Sequence, residues 1–545
     1  MGSGTITAVV DFQCRYLFLA IIIIAALQGC HTFNRPSDLR SQALSAILSE
    51  SRNTAIQISD RNIRDETLRQ VAITLTITDD LSAADETAFH IHNHLLKEMT
   101  LADIAGITAR SGDMAMAEKL AASLTHDTAQ ARAQSHIAVA LAHSGQILEA
   151  LHRAAKITNE GNRAFVSFEI VAQQAERGDW RGAESTAERI PEAYGTARGN
   201  EPEPFAPTKS RAFAYLVELH AKNNQLTEAV RLVQNITDID EQGIALKHLV
   251  ATFVHDKNYN QAVHLLASMP REGARTCGLV YLARHHAENG NIEDGLHVMR
   301  SITPHQKTVR CAHFPGKQLT LRPDTAQTFI LMAAVKGGHT QEALARIDAS
   351  PNNDERALAR QAIAIAQAQA GDPAGGFATI SNPSLQHADE ALKEIALAYA
   401  KTSQQEHAFQ TIQLIEEEEL REDMQGQMVF ELAKNGENSR ALQTLNTLSE
   451  RKHKTFAYIA IAESQAKKGQ YNEALQTALA IINDRDRCTA IRAIAIIIAQ
   501  GSNTQTALKW ARELPELHLR AHGLLGVAKA LLAPSPKLNL VEHLL

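Results

Sequence analysis

The sequence predicts an all-α solenoid of about 13 helical hairpins, finished by a C-terminal capping helix. The first observation behind this is a period. Thirteen turn residues (Asp79, Gly112, Gly145, Gly178, Asn224, Lys257, Gly290, Gly338, Gly371, Ser403, Gly436, Gly469 and Ser502) are each followed five positions later by Ala or Gly, usually at 33-residue intervals. The second is a set of apolar columns in register with it. Eight residues before each turn residue stands Val, Ile, Leu or Met in all thirteen units, from Val71 to Ile494, and the next position is Ala in eight of them. The third is size. At 545 residues the chain exceeds what one globular core holds, about 250–300 residues, whereas a solenoid grows by stacking units that each bury an apolar face on the next.

Each element follows from these columns. In Phe456–Ile482, two apolar stripes at helical spacing flank Gly469, which reads as helix, turn, helix. Eight turn residues are Gly, and Asn224 and Asp79 are the next best at tolerating a left-handed C-cap. Five residues on, a side chain larger than methyl would hold the two helices apart. Twelve residues after the turn stands Ile, Leu or Met in eleven units; Ser350 and Pro383 are exceptions, where the second helix is expected to end early, after Ile347 and Ile380.

This pattern resembles the tetratricopeptide repeat, with Ile461, Ala462, Gly469, Ala474, Ala478 and Ile481 on matching positions over roughly residues 60–515. It departs in its 33-residue period, in a mixed tyrosine column (Leu141, Phe253, His286, Tyr399) and in lacking the terminal Pro. The resemblance implies a right-handed superhelix that binds a protein or peptide segment.

The chain divides into a signal segment (1–29), a tether and lead-in (30–45), the repeats (46–515) and a cap (516–545). Arg15 precedes an apolar run from Tyr16 to Leu27, too short for the roughly 20 residues that cross a bilayer and suited to a secretion signal. Leu27-Gln28-Gly29-Cys30 resembles the bacterial lipobox, despite Gln28 and a long n-region, and implies lipidation of Cys30. An ordinary signal peptide or uncleaved anchor is the alternative. His31, standing where Asp would favour the inner membrane, implies an outer-membrane anchor facing the periplasm. Ser37-Asp38 is a plausible helix start; Leu517–Leu532 repeats the first-helix pattern before Pro534 and Pro536, leaving Lys537–Leu545 as an incomplete second helix.

Charge gives no case for nucleic acid, since 54 Lys and Arg face 61 Asp and Glu, a formal −7. No nucleotide-binding, nucleophile-elbow or zinc-protease motif occurs in the sequence, so a binder is expected rather than an enzyme, with no cofactor. Fifteen residues before the turn residue a base recurs in nine units, including Arg163, Arg275, Arg356, Arg421, Lys454 and Arg487, and Arg520 extends the column. It is either a cationic ladder for an acidic partner or glycan such as peptidoglycan, or a set of local pairs with linker acids such as Asp484 and Asp486; local pairing is the stronger reading. Two inserts, 195–209 and 303–325, place Phe205 and Phe314 among prolines on one edge, as contact loops or as tolerated insertions. His90 and His94 would share a face of a helix and, with His92, form the best metal candidate; packed or exposed imidazoles are the simpler account. Glu416–Glu419 reads as the solvated end of a helix. Cys277 and Cys311 sit one repeat apart, and the spacing of packed helices, about 8–10 Å, favours free thiols over a bridge.

Overall fold

The computed structural model describes residues 36–192, 207–255, 259–267, 269, 272–300, 302, 323–349, 353–381, 388–448 and 451–532. Among them are 28 helices and no strand. From Arg61 onward, long first helices such as Arg61–Ile77, Asp127–His143 and Asp484–Gly501 alternate with shorter second helices such as Leu81–Phe89, Ile147–Ala154 and Thr504–Arg512. The architecture is a tetratricopeptide-like α-solenoid.

The turn column forms the hairpins as expected. Eleven of its thirteen residues have positive φ, including Asp79, Asn224 and Ser403, and Lys257 lies outside the described residues. The amide after each such turn donates to the carbonyl five residues back, as Gln470 N does to Gln465 O at 2.9 Å. That bond consumes a carbonyl which the helix end leaves unpaired. Ser502 departs from the column with φ −111°, because its helix runs on through Gly501 and ends without the left-handed residue. The second helices Thr340–Asp348 and Pro373–Ile380 end close to Ile347 and Ile380 but not early, since Gln405–Gln413 and Ile147–Ala154 stop at the same distance from their turns, which corrects that expectation.

The small column is where paired helices touch. Ala84, Ala150, Ala343 and Ala474 are fully buried. At Gly295 and Gly376 an added Cβ would lie 2.7 and 2.8 Å from the carbonyl oxygens of Ala283 and Ala364. The apolar column eight residues before the turn is buried throughout, from Val71 to Ile494, and recurs as Val527 in the last helix.

Neighbouring hairpins pack chiefly through their first helices, each of which touches the first helix before and after it. Successive second helices meet more loosely, through ion pairs such as Arg231 with Glu184 at 2.6 Å and Arg440 with Glu406 at 2.8 Å, so the closely packed first helices form the inner row of the curve. The row closes on itself. The C-terminal helix Leu517–Leu532 packs against Arg61–Ile77, and the N-terminal helix Pro36–Ile56 packs against both. The expected lead-in therefore already contains helix, starting at Pro36. Pro36–Ile56 lies antiparallel to Leu517–Leu532, with the Ser51 hydroxyl donating to Ala521 O at 2.9 Å and Arg40 donating to Leu531 O. It thus takes the place of the second helix in a fourteenth hairpin whose first helix is C-terminal. One hydrophobic core accordingly runs from Leu44, Leu48 and Val71 to Leu524, Leu525 and Val527. The last helix, expected as a cap, joins the two ends of the stack.

Cys277 is disulfide-bonded, a correction to the expectation of a free thiol. The interhelix distance that argued against a bridge holds only for a partner fixed on a neighbouring helix, and Cys311 lies outside the described residues. Among the described residues no helix is long and apolar enough to cross a membrane.

Candidate functional site

The recurring bases face their own backbone. Arg163 donates to Ile157 O at 2.7 Å, Arg421 to Ile415 O at 2.8 Å, Arg487 to Ile481 O at 2.9 Å and Arg520 to Leu514 O at 2.5 Å. The acceptor is always the carbonyl six residues back, at the end of the preceding second helix, where helix geometry leaves carbonyls unpaired. Gln130 substitutes for the base in its unit and makes the same bond to Leu124 O at 2.7 Å. Linker acids add pairs, Arg163 with Glu160 at 3.6 Å and Arg487 with Asp484 at 2.9 Å. Arg356 donates to Asn353; Arg275 and Lys454 are half-buried on the same column. These contacts favour the local, structural account of the ladder over a free cationic edge.

A second latch joins neighbouring units and was not visible as a column in the sequence. The buried Asp65 carboxylate accepts from His92 N at 3.1 Å and Asn93 N at 2.8 Å. Glu98, Ser210 and Asp389, at the same position of their repeats, accept from the amides 27 and 28 residues ahead. Each caps the start of the next first helix. Burial alone would raise the Glu98 carboxyl, but hydrogen bonds from Thr125 and His126 and the nearby His94 hold it below the usual range. Glu416–Glu419 is exposed and opens the helix beginning at Glu418, where acids suit the helix dipole.

The histidine cluster is corrected by this latch. His90 and His94 do not share a helix, because one helix ends at Phe89 and the next begins at His94 with Asn93 as its cap. His92 Nδ1 lies 3.2 Å from Arg64, and His94 Nε2 lies 3.5 Å from Glu98. Among the described residues no group of three His, Cys, Asp or Glu is placed to hold a metal ion. Cys30, Phe205 and Phe314 lie outside the described residues, as does most of both inserts.

Two features of surface and cavity were missed. Large apolar side chains stand exposed on the first helices at Phe165, Leu358, Phe430 and Phe456. Phe165, Leu358 and Phe456 occupy one repeat position, thirteen residues before the turn, and Phe430 lies seven residues further along, two helical turns up the same face. Other units fill that position with residues such as Glu66, Arg132, Arg211 and Glu390, so no apolar column marked it in the sequence.

The other feature is the seam where the ring closes. A cavity of about 460 Å³ opens between Arg61–Ile77 and the helices Asp484–Gly501 and Leu517–Leu532. Arg492 reaches across it to Gln70 Oε1 at 3.2 Å, and His522 Nε2 lies 3.3 Å from the Thr67 hydroxyl. The helices approach closely here, since a Cβ on Gly526 would lie 2.5 Å from Arg492 O. Burial holds His522 down to about 3, with Arg492, His518 and Lys529 adding to the effect, and pulls Lys529 down to about 8. Burial also pushes the Cys488 thiol up to about 12, so it carries no charge here.

No protein family matches the chain, and no curated protein matches it. Among solved structures, the pentatricopeptide repeat protein PPR10 from maize is 11% identical, with 93% of this chain and 77% of that one covered and a TM-score of 0.32. A monomeric mutant of IFIT1 with Gppp-AAAA is 11% identical, covering 88% and 99%, at 0.23. The Cut9–Hcn1 assembly of APC/C is 12% identical, covering 88% and 99%, at 0.20. Nothing about ligands passes from these proteins to this one; on its own hairpin geometry the chain is a tetratricopeptide-like α-solenoid.

Proposed function

We propose that this protein is a lipid-anchored interaction scaffold of the bacterial cell envelope, binding a protein or peptide segment along its first helices. Lipidation at Cys30 would hold it to the outer membrane, facing the periplasm. The observation that carries the binding reading is the exposed apolar row, in which Leu358, Phe430 and Phe456 are 67%, 50% and 68% exposed. Isolated apolar residues on a surface need no explanation, but three large ones on first helices within four repeats, with the acids Glu390 and Asp423 at the intervening positions, suit an apolar segment of a partner flanked by bases. The basic ladder does not favour the glycan reading, because its arginines are taken up by carbonyls and linker acids.

A photo-crosslinking residue at Phe456 should trap one discrete partner in intact cells, and Leu358→Ser with Phe430→Ser should abolish the product. If Leu148, on a second helix, gives the same product, the assignment of the binding face fails. Labelled palmitate should enter the wild-type protein and not Cys30→Ser; equal labelling would remove the anchor.

A further inference from the structure

Second helices touch each first helix seven and four positions before the turn, where the Ala364 carbonyl lies against Gly376 and Gln465 Oε1 accepts from the Thr477 hydroxyl at 2.8 Å. At about 100° per residue, positions thirteen, nine, six and two before the turn point the opposite way, into the ring. Six before the turn, Met332, Ile365, Leu397 and Phe430 follow one another on four consecutive first helices. The four preceding units place Ala172, Glu218, Ala251 and Arg284 there. Met332, Ile365 and Leu397 are partly buried and Phe430 is half-exposed.

Charge of opposite sign borders this apolar row. Two before the turn, about 6 Å further along the helices, Lys336, Lys401, Lys434 and Lys467 stand exposed. A lysine in a last turn suits the helix dipole, but Ile77, Glu176 and Glu288 hold the same position elsewhere, so the fold does not demand a base. Lys434 approaches Glu431 only at 3.9 Å, and among the described residues no acid pairs with Lys401 or Lys467. At the other edge, thirteen before the turn, stand Glu390 and Asp423. The acid between the rows, Glu394, accepts from Gln369 at 3.1 Å.

Neighbouring helix axes lie about 8–10 Å apart, so the row from Met332 to Phe430 runs about 24–30 Å, the length of a helix of roughly 16–20 residues. An extended segment sends alternate side chains to opposite faces, whereas a helix presents an apolar stripe with two distinct edges. Three parallel bands of unlike character fit the helix. Resting on the binding face assigned above, we propose that this sector receives an amphipathic α-helix of the partner, laid across the first helices. Its apolar stripe covers Met332, Ile365, Leu397 and Phe430, with an acidic edge along the lysines and a basic edge toward Glu390 and Asp423.

A peptide of roughly 18 residues, with a leucine stripe, glutamate along one edge and lysine along the other, tests this by titration calorimetry on the full chain. It should bind, and a peptide with lysine along both edges should bind more weakly. Lys401→Glu with Lys434→Glu should weaken the mixed-edge peptide about 5–30-fold, as two exposed ion pairs turn repulsive, and should strengthen the lysine-edged one. Misfolding cannot produce opposite changes, and Glu176 and Glu288 show that the position tolerates an acid. No binding of the mixed-edge peptide, equal affinity of the two peptides for the wild type, or an equal loss of both in the variant overturns the proposal. The cellular crosslink separates it from the reading beneath it. A Phe456 product unchanged by Lys401→Glu with Lys434→Glu overturns the acidic edge and leaves the binding face standing, whereas no product from the otherwise wild-type chain removes the face itself.

Discussion

At the turn of each hairpin a single backbone torsion decides which residues are tolerated. Ser403 holds φ 59° whereas Ser502 has φ −111°. Ser403→Gly should therefore stabilise by up to about 1.5 kcal/mol, the roughly 1–2 kcal/mol of left-handed strain relieved less the about 0.4–1 kcal/mol of unfolded-chain entropy that Gly adds, and Ser502→Gly should not; urea midpoints compare the two. Ala474 is fully buried at the helix contact, so Ala474→Leu should cost about 1–3 kcal/mol in the same assay. Acid should weaken the fold through two histidines. Burial holds His136 down to about 4, with Asp103 opposing and Arg132 and Arg110 adding to it, and holds His522 to about 3. Below about 6.5 the unfolded chain takes up protons that the folded chain refuses. Stability present above that pH is thus lost as the pH falls toward 4, and the loss between pH 7 and 5 should shrink in His136→Gln. A slope unchanged by that substitution would dissociate His136 from the effect. These residue roles differ in legibility. Gly and Ala columns were plain because sterics restrict them to few residue types; the histidine environments depend on neighbours a repeat away.

Between elements, polar side chains fix the spacing of one hairpin to the next. Glu98 accepts from Thr125 N and His126 N at the start of Asp127–His143. Glu98→Ala should leave those amides unpaired at a cost of about 1–3 kcal/mol and raise hydrogen exchange there before it does in Tyr471–Leu479. Uniform exchange across both helices would argue against a local latch. Helix boundaries were largely legible: the last helix spans Leu517–Leu532 as expected, and the second helices after Gly338 and Gly371 end near Ile347 and Ile380. The latches were not, because Asp65, Glu98, Ser210 and Asp389 perform one task with three residue types, and other units place Ala or Gly at that position. Nor did periodicity separate His90 from His94, since only the Asn93 cap marks the break between two helices.

For the whole molecule, closure replaces the two exposed ends that an open stack would have to cover. Leu44 and Leu48 are buried in the core shared by both ends. Leu44→Asp with Leu48→Asp should release Pro36–Ile56, lengthen the particle in small-angle scattering and promote end-to-end association at higher concentration. An unchanged scattering profile would show that the ring does not depend on this helix. The sequence pattern revealed the hairpins but not that their row returns to its start. Curvature accumulates from small differences in approach, such as that at Gly106, where a Cβ would lie 2.5 Å from the His136 side chain, and no column records that sum.

The pairing of Pro36–Ile56 with Leu517–Leu532 also sets an order in time. Pro36–Ile56, the earliest of the described helices, is used last, after roughly 460 further residues have been made. At about 5–20 residues per second, the apolar stripe of Leu44, Ile47 and Leu48 waits on the order of a minute for its mate. Over that interval a nascent chain must either shelter the stripe on an early hairpin or rely on a chaperone to cover it.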